Sequence, residues 1–163
     1  YKRQNLIVKK LFGTVSGKKL FILGFSFKEN TNDTRESASI KICEELLNEG
    51  AILFINDPKV NPNQIENDLK IKQNKSLLEN NFKNKSNIDG SWCFVKDISN
   101  GFKGADAAVI LTGWEEYQKI DWENASKKMR RPSWVFDVRS VISAKEITKH
   151  KLNFWQIGNG SKF

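Results

Sequence analysis

Short apolar runs, each closed by glycine or by a polar turn, set the rhythm of this chain: Leu20-Phe21-Ile22-Leu23, Ala51-Ile52-Leu53-Phe54-Ile55, Ala107-Ala108-Val109-Ile110-Leu111 and Ser133-Trp134-Val135-Phe136. Continuous runs of that length predict strands buried on both faces. Between the first two, Ile40, Cys43, Leu46 and Leu47 recur at helical spacing and Gly50 ends the pattern. Asp33, with Glu36 three residues on, reads as a capping box for a helix running to about Glu49. Strand, loop, helix and strand in that order predict a βαβ unit with a right-handed crossover. Further along, the pattern predicts a short helix near Gln64–Leu69, a strand at Trp92–Val95 and a helix near Ile98–Lys103. Broken helical pieces then cover Trp114 to Met129, a helix lies near Ser143–Lys149 and a strand near Asn153–Ile157. Asn61 to Asn87 is otherwise rich in Asn, Lys and Gln and reads as a surface insertion. Alternation of this kind means an α/β sheet, parallel and covered on both faces.

At the amino end, Leu6, Ile7, Leu11 and Phe12 share one helical face and Gly13 is a suitable C-cap. No N-cap signal precedes them, and the chain opens on Tyr1 rather than Met. The expectation is the tail of a longer helix, in a piece of a longer polypeptide.

Composition narrows the chemistry. One domain is what 163 residues accommodate, and 11 Phe with 5 Trp are enough to build its core. No apolar run approaches the roughly 18–20 residues that cross a bilayer, and neither terminus resembles a targeting signal. Two cysteines and one histidine, His150, leave little for a disulfide scaffold, a zinc site or a Ser/His/Asp triad. A cytoplasmic protein with both thiols free is expected. The net charge of +8 points to an anionic partner. Lys70–Ser86 raises the alternative of a basic nucleic-acid-binding α/β module, but Phe82 is its sole aromatic and it has no RNP-like pattern. A stand-alone flavodoxin-like scaffold is a third reading.

Ligands of open parallel sheets bind outside the carboxyl ends of the strands. That rule selects the loop Gly24–Arg35, Asp57-Pro58, Thr112-Gly113-Trp114 and Asp137–Arg139. Lys28, Arg35 and Arg139 make two of these basic, as an anion site requires, although a solvated lysine and local ion pairs of the arginines are the plain alternatives. Arg35 is expected in the first helical turn, against the macrodipole, where backbone N–H groups would join it in holding an anion. Gly24-Phe25-Ser26-Phe27 is not G-x-G-x-x-G, so Asp57 reads better as a turn former than as a ribose ligand. Cys43 and Cys93 fall inside predicted elements and read as inert core.

The loop GFSFKENTNDTRES (Gly24–Ser37), followed by a helix and INDPKV (Ile55–Val60), resembles the UDP-glucose/GDP-mannose dehydrogenase family, whose form is G-x-x-F-K-x-x-T-x-D-x-R-x-S. AAVILTGWEEYQKIDW (Ala107–Trp122), KKMRRPSWVFDVR (Lys127–Arg139) and WQIG (Trp155–Gly158) extend the resemblance over nearly the whole chain. It implies an α/β, Rossmann-like three-layer sandwich with a mostly parallel sheet, preceded by the end of a long helix. Residues 1–13 would be the end of the central linker helix and 14–163 the UDP-sugar-binding C-terminal domain. Members oxidise a sugar C6 alcohol to a carboxylate in two NAD-dependent steps through a cysteine thioester, and form cytosolic oligomers. By resemblance, Phe27, Lys28 and Arg139 contact the nucleotide-sugar (UDP-glucose or UDP-glucuronate), and Arg35 reaches NAD held by an N-terminal domain. The chain carries no G-x-G-x-x-G and no nucleophilic-cysteine segment, so it is expected to catalyse nothing alone, and no catalytic or metal-binding residue is assigned in it. Asn32 stands where the family often has Gly, a left-handed position that Asn tolerates. Asn30 replaces a common acid, and Val138 replaces a frequent Gly, which would redirect Arg139.

Overall fold

Alternate residues of the first strand face opposite ways, and that fixes the layers. In the computed structural model, which describes residues 8, 9, 12–79 and 89–158, β1 (Lys19–Leu23) sends Leu20 and Ile22 to one side of the sheet and Phe21 and Leu23 to the other. On the first side α1 (Ala38–Asn48) packs Ile42, Cys43, Leu46 and Leu47, and α2 (Pro62–Leu69) packs Ile65 and Leu69. They meet Leu53 and Ile55 of β2 (Ile52–Asn56) and Trp92 of β3 (Ser91–Phe94). On the second side Phe102, which follows α3 (Ile98–Gly101), packs with Tyr117 of α4 (Glu115–Gln118) and with Trp122 and Ala125 of α5 (Trp122–Lys128). Those side chains cover Phe21, Leu23, Phe54 and Cys93 together with Ala108 and Ile110 of β4 (Ala107–Ile110). Each fully buried Leu, Ile or Phe contributes about 1.5–3 kcal/mol, so this two-sided burial is what makes the uninterrupted apolar runs stable as strands.

The remaining elements are β5 (Trp134–Asp137), α6 (Ala144–Lys149) and β6 (Asn153–Gln156). All six strands are parallel, in the order β3-β2-β1-β4-β5-β6, with Leu23 level with Asn56 on one side and Ile110 on the other. The order reverses between β1 and β4, so the loops leaving those strands diverge and open a crevice. A doubly wound α/β sheet is thus what the strand pattern forecast, parallel throughout rather than mostly so.

The expected helix over Tyr1–Phe12 is described only at residues 8, 9 and 12, which are helical. Val8 is buried among Ile42, Leu46 and Trp155, and the Phe12 ring meets Phe136 edge-on at 6.4 Å. Of the expected surface insertion, residues 80–88 lie outside the described part. Before them a 3-10 turn at Lys75–Leu78 buries Leu77.

Candidate functional site

The loop after β1 is folded by groups it does not itself contain. Gly24 turns with φ 97°, and a side chain there would collide with Thr112 beyond β4. Asp57, at the end of β2, is buried and accepts five N–H groups. Its Oδ2 takes Phe25 N–H (2.8 Å), Ser26 N–H (3.0 Å) and the Trp114 indole (3.3 Å), and its Oδ1 takes Lys59 and Val60 (2.9 Å each). Every lone pair of that carboxylate is engaged, so Asp57 is a turn organiser and not a ribose ligand. Thr112 Oγ1 donates to Ser26 O (2.9 Å), Phe27 N–H to Asp33 O (2.8 Å) and Gln64 Nε2 of α2 to Asn32 O (2.8 Å).

The capping box does not form. Glu36 has φ 60°, which no helix accommodates, and α1 starts two residues later with Ser37 as its cap, accepting from Ser39 N–H. Asp33 instead makes a local turn, accepting Arg35 N–H at 2.9 Å. Arg35 therefore precedes the helix and lies outside its first turn, so the macrodipole argument does not apply to it. Its guanidinium forks onto Asp33 (Nε to Oδ1 3.0 Å, Nη2 to Oδ2 2.8 Å), the local ion pair, and its side chain is 88% exposed. Those hydrogen bonds hold the Asp33 carboxyl down at about 2. Besides Gly24 and Glu36, the loop is left-handed at Asn30 (φ 64°), not at Asn32.

Beyond β5 the same device recurs. Asp137 is buried, and its Oδ1 accepts Arg139 N–H (2.9 Å) while its Oδ2 accepts Val141 N–H (2.7 Å), Ile142 N–H (2.9 Å) and Gln156 Nε2 (3.1 Å). The chain reaches those acceptors by turning at Ser140, φ 56°. Asp137 thus binds the backbone of Arg139, and no salt bridge forms between their side chains. The guanidinium crosses the crevice, donating through Nε to Leu111 O (2.9 Å) and through Nη2 to Phe27 O (3.0 Å). Val138, expected to redirect Arg139, leaves this crossing in place and lines the cleft beside it.

All four strand-end loops named from the sequence are therefore joined into one rim. Phe27 and Arg139 come together on it, with Lys28 next to Phe27 in the chain, whereas Arg35 is exposed and paired with Asp33. Phe27 is 47% exposed, and Lys28 is exposed beside it. Behind them lies a cleft of about 150 Å³ lined by Phe27, Glu36, Ala38, Ile42, Leu111 and Arg139, with Val138 at its edge. Ligand pockets usually enclose about 300–1,000 Å³, so this cleft is one wall of a site. The sequence offered Thr112 only as part of a strand-end loop and Glu36 only as part of a capping box, and did not single out the buried partners of Asp137. The available signal was only a strand-terminal Asp, repeated at 57 and 137. Cys93 is buried, which pushes its thiol up to about 12, and burial raises Cys43 further, so neither is a nucleophile. Among the described residues no group of acidic, His and Cys side chains could hold a metal ion.

Residues 21–144 match the UDP-binding domain of the UDP-glucose/GDP-mannose dehydrogenase family. UDP-glucose 6-dehydrogenase of Drosophila melanogaster is 38% identical over 152 residues, covering 93% of this chain and 30% of that protein. The Gallus gallus protein of the same name is 41% identical over 136 residues, covering 83% and 26%. This chain thus spans about a third of such relatives. Among solved structures, an NDP-N-acetyl-D-galactosaminuronic acid dehydrogenase from Methanosarcina mazei superimposes over 96% of this chain and 28% of its own, with TM-score 0.69 and 20% identity. A UDP-glucose dehydrogenase from Pyrobaculum islandicum does so over 94% and 28%, with TM-score 0.63 and 23% identity, and both establish the fold. With the family's loop rebuilt residue by residue around the sheet's switch point, the chain belongs to the UDP-glucose/GDP-mannose dehydrogenase family and comprises its UDP-binding domain.

Proposed function

We propose that this domain supplies the nucleotide-sugar half of an NAD-dependent UDP-glucose 6-dehydrogenase, which converts UDP-glucose to UDP-glucuronate. The observation that carries the reading is the Arg139 guanidinium, fixed between Leu111 O and Phe27 O, the latter on the loop that also carries the exposed Lys28. Two of its nitrogens are held by carbonyls, and among the described residues Nη1 has no hydrogen-bond partner. A guanidinium so oriented and an exposed lysine on the same loop suit a diphosphate, the first as a directional donor and the second as a point charge. The exposed Phe27 ring offers a flat apolar face to a base or sugar. Because the cleft is a single wall, an N-terminal NAD-binding domain would close over it and exclude water, with residues 1–13 as the end of the connecting helix. NAD supplies the hydride-accepting chemistry when bound. This chain's share in holding it is Arg35, whose pairing with Asp33 leaves Nη1 pointing to no described partner and suited to a phosphate oxygen. Burial of both thiols speaks against a thioester on either, which supports assigning the oxidation chemistry to the rest of a cytoplasmic, oligomeric enzyme.

The test is thermal denaturation and calorimetric titration of the complete dehydrogenase with UDP-glucose and UDP-glucuronate. Both ligands should raise the melting temperature, and Lys28→Ala should remove most of the rise. An unchanged melting temperature in the parent protein at millimolar UDP-sugar would overturn the reading.

A further inference from the structure

Away from the rim, on the sheet face that carries α3, a groove of about 850 Å³ runs across β1, β2 and β3. Its floor is apolar, made by Ile52, Phe54 and Leu77, and its amino end carries Lys19, Lys103 and Arg130. Lys96, Asp97 and Glu79 stand on the opposite wall. Lys19 is the first residue of β1, so the strand's pairing with Ile52 and the Asp106 carboxylate on its N–H (2.9 Å) fix where its side chain starts. The amine lies 3.5 Å from the centre of the Phe54 ring and donates to Lys103 O at 2.5 Å. Two of its three N–H positions are thereby occupied. The third becomes a lone pair when the amine is neutral, and Lys19 lines the groove. Arg130 lies 3.7 Å from Asp106.

We infer that Lys19 is a nucleophilic amine that accepts acyl groups from anionic activated acyl donors entering this groove. The free amine attacks the carbonyl carbon, a C–N bond forms as the bond to the carrier breaks, and the carrier leaves as phosphate or thiolate while the amine's proton passes to solvent. The product is a neutral amide, which ends the burial of an ammonium on an apolar wall. The apolar floor accommodates the acyl chain, and Lys103 and Arg130 attract the anionic carrier. Burial first, then the positive charges of Lys103 and Arg130, lowers Lys19 to about 8, with Cys93 and Asp106 pulling the other way. The Phe54 ring face favours the ammonium, but burial outweighs it. At pH 7.5 roughly a quarter of such an amine is free, against about a thousandth for an ordinary lysine. Desolvated lysines next to another cation are activated in the same way in known nucleophilic enzymes.

The experiment is competitive acetylation of the folded protein with limiting acetyl phosphate at pH 7.5, and separately with uncharged p-nitrophenyl acetate, read by peptide mass spectrometry. Lys19 should acetylate at least about tenfold faster than Lys41, an exposed residue on α1, with both reagents, and its rate should level off above pH 8. Its advantage should be larger with acetyl phosphate, and Arg130→Gln should remove that extra part. Equal rates at Lys19 and Lys41 would overturn the nucleophile, and equal selectivity with both reagents would overturn the role of the cations. Lys19→Arg, which keeps the charge, serves as the blank. None of these outcomes depends on UDP-sugar binding.

Discussion

The Arg139 guanidinium donates to the main-chain oxygen of Phe27 at 3.0 Å, joining residues 112 positions apart in sequence. One side chain thereby holds the edge of the family's loop against the strand end that opposes it. Lysine at this position has one point of charge and cannot reach both carbonyls with planar donors. Arg139→Lys should therefore weaken UDP-glucose binding by about tenfold or more while lowering stability by only about 1 kcal/mol, since the bonds lie at the surface. Titration calorimetry with urea denaturation separates the two effects. A loss of stability without loss of binding would make Arg139 purely structural.

Asp57 faces five donors and no acceptor it must avoid. In Asp57→Asn one oxygen becomes an NH2 group aimed at N–H donors, leaving buried groups unpaired. The expected cost is about 3 kcal/mol in urea unfolding, with the loop after β1 losing amide-exchange protection first. Asp137→Asn should behave alike at the other end of the rim, exposing the amides of Val141 and Ile142 to exchange.

Gly24→Ala combines a left-handed backbone with contact against Thr112. Neither β1 nor β4 can retreat, because Leu23 is in register with Ile110. We expect a loss of about 2 kcal/mol or more and a displaced loop. Adding Thr112→Ala should not rescue it, because the Cβ and backbone nitrogen of residue 112, which the new Cβ would meet, stay in place.

Lys19 makes folding sensitive to alkali. Its folded value, about 8, lies below the ordinary 10.5, so between these values the unfolded chain binds a proton that the folded chain has released. Stability from this group therefore rises with pH across that window, and below pH 8 the folded state bears the full cost of a half-buried ammonium. Lys19→Met should be more stable than the parent at pH 7, with the difference shrinking towards pH 10. Urea midpoints at pH 7, 8.5 and 10 give the comparison, and parallel curves would show that Lys19 is uncharged or solvated throughout.

The Asp33–Arg35 pair is legible to NMR. Asp33 should titrate near pH 2, and Arg35→Gln should raise it towards the usual carboxylate range without reaching it, because the N–H of residue 35 still donates to Asp33. Because the pair is exposed, global stability should hardly change.

The sequence by itself determined the strands, their parallel arrangement and the four loops that carry chemistry. It could do so because burial on both faces leaves an uninterrupted apolar run, a signal that needs no knowledge of neighbours. It also determined the family, through the long motif around Lys28 and Arg35. Local signals failed where long-range contacts outweighed them. Asp33 and Glu36 have the spacing of a capping box, yet the hold of Asp57, Thr112 and Gln64 on the loop moves the helix start to Ala38 and puts Arg35 outside it. Only the tertiary structure decided that Arg139 reaches Phe27 and that Lys19 lies on Phe54. Each of these depends on which strands become neighbours, and a hydrogen bond between groups more than 80 residues apart leaves no periodicity in the chain.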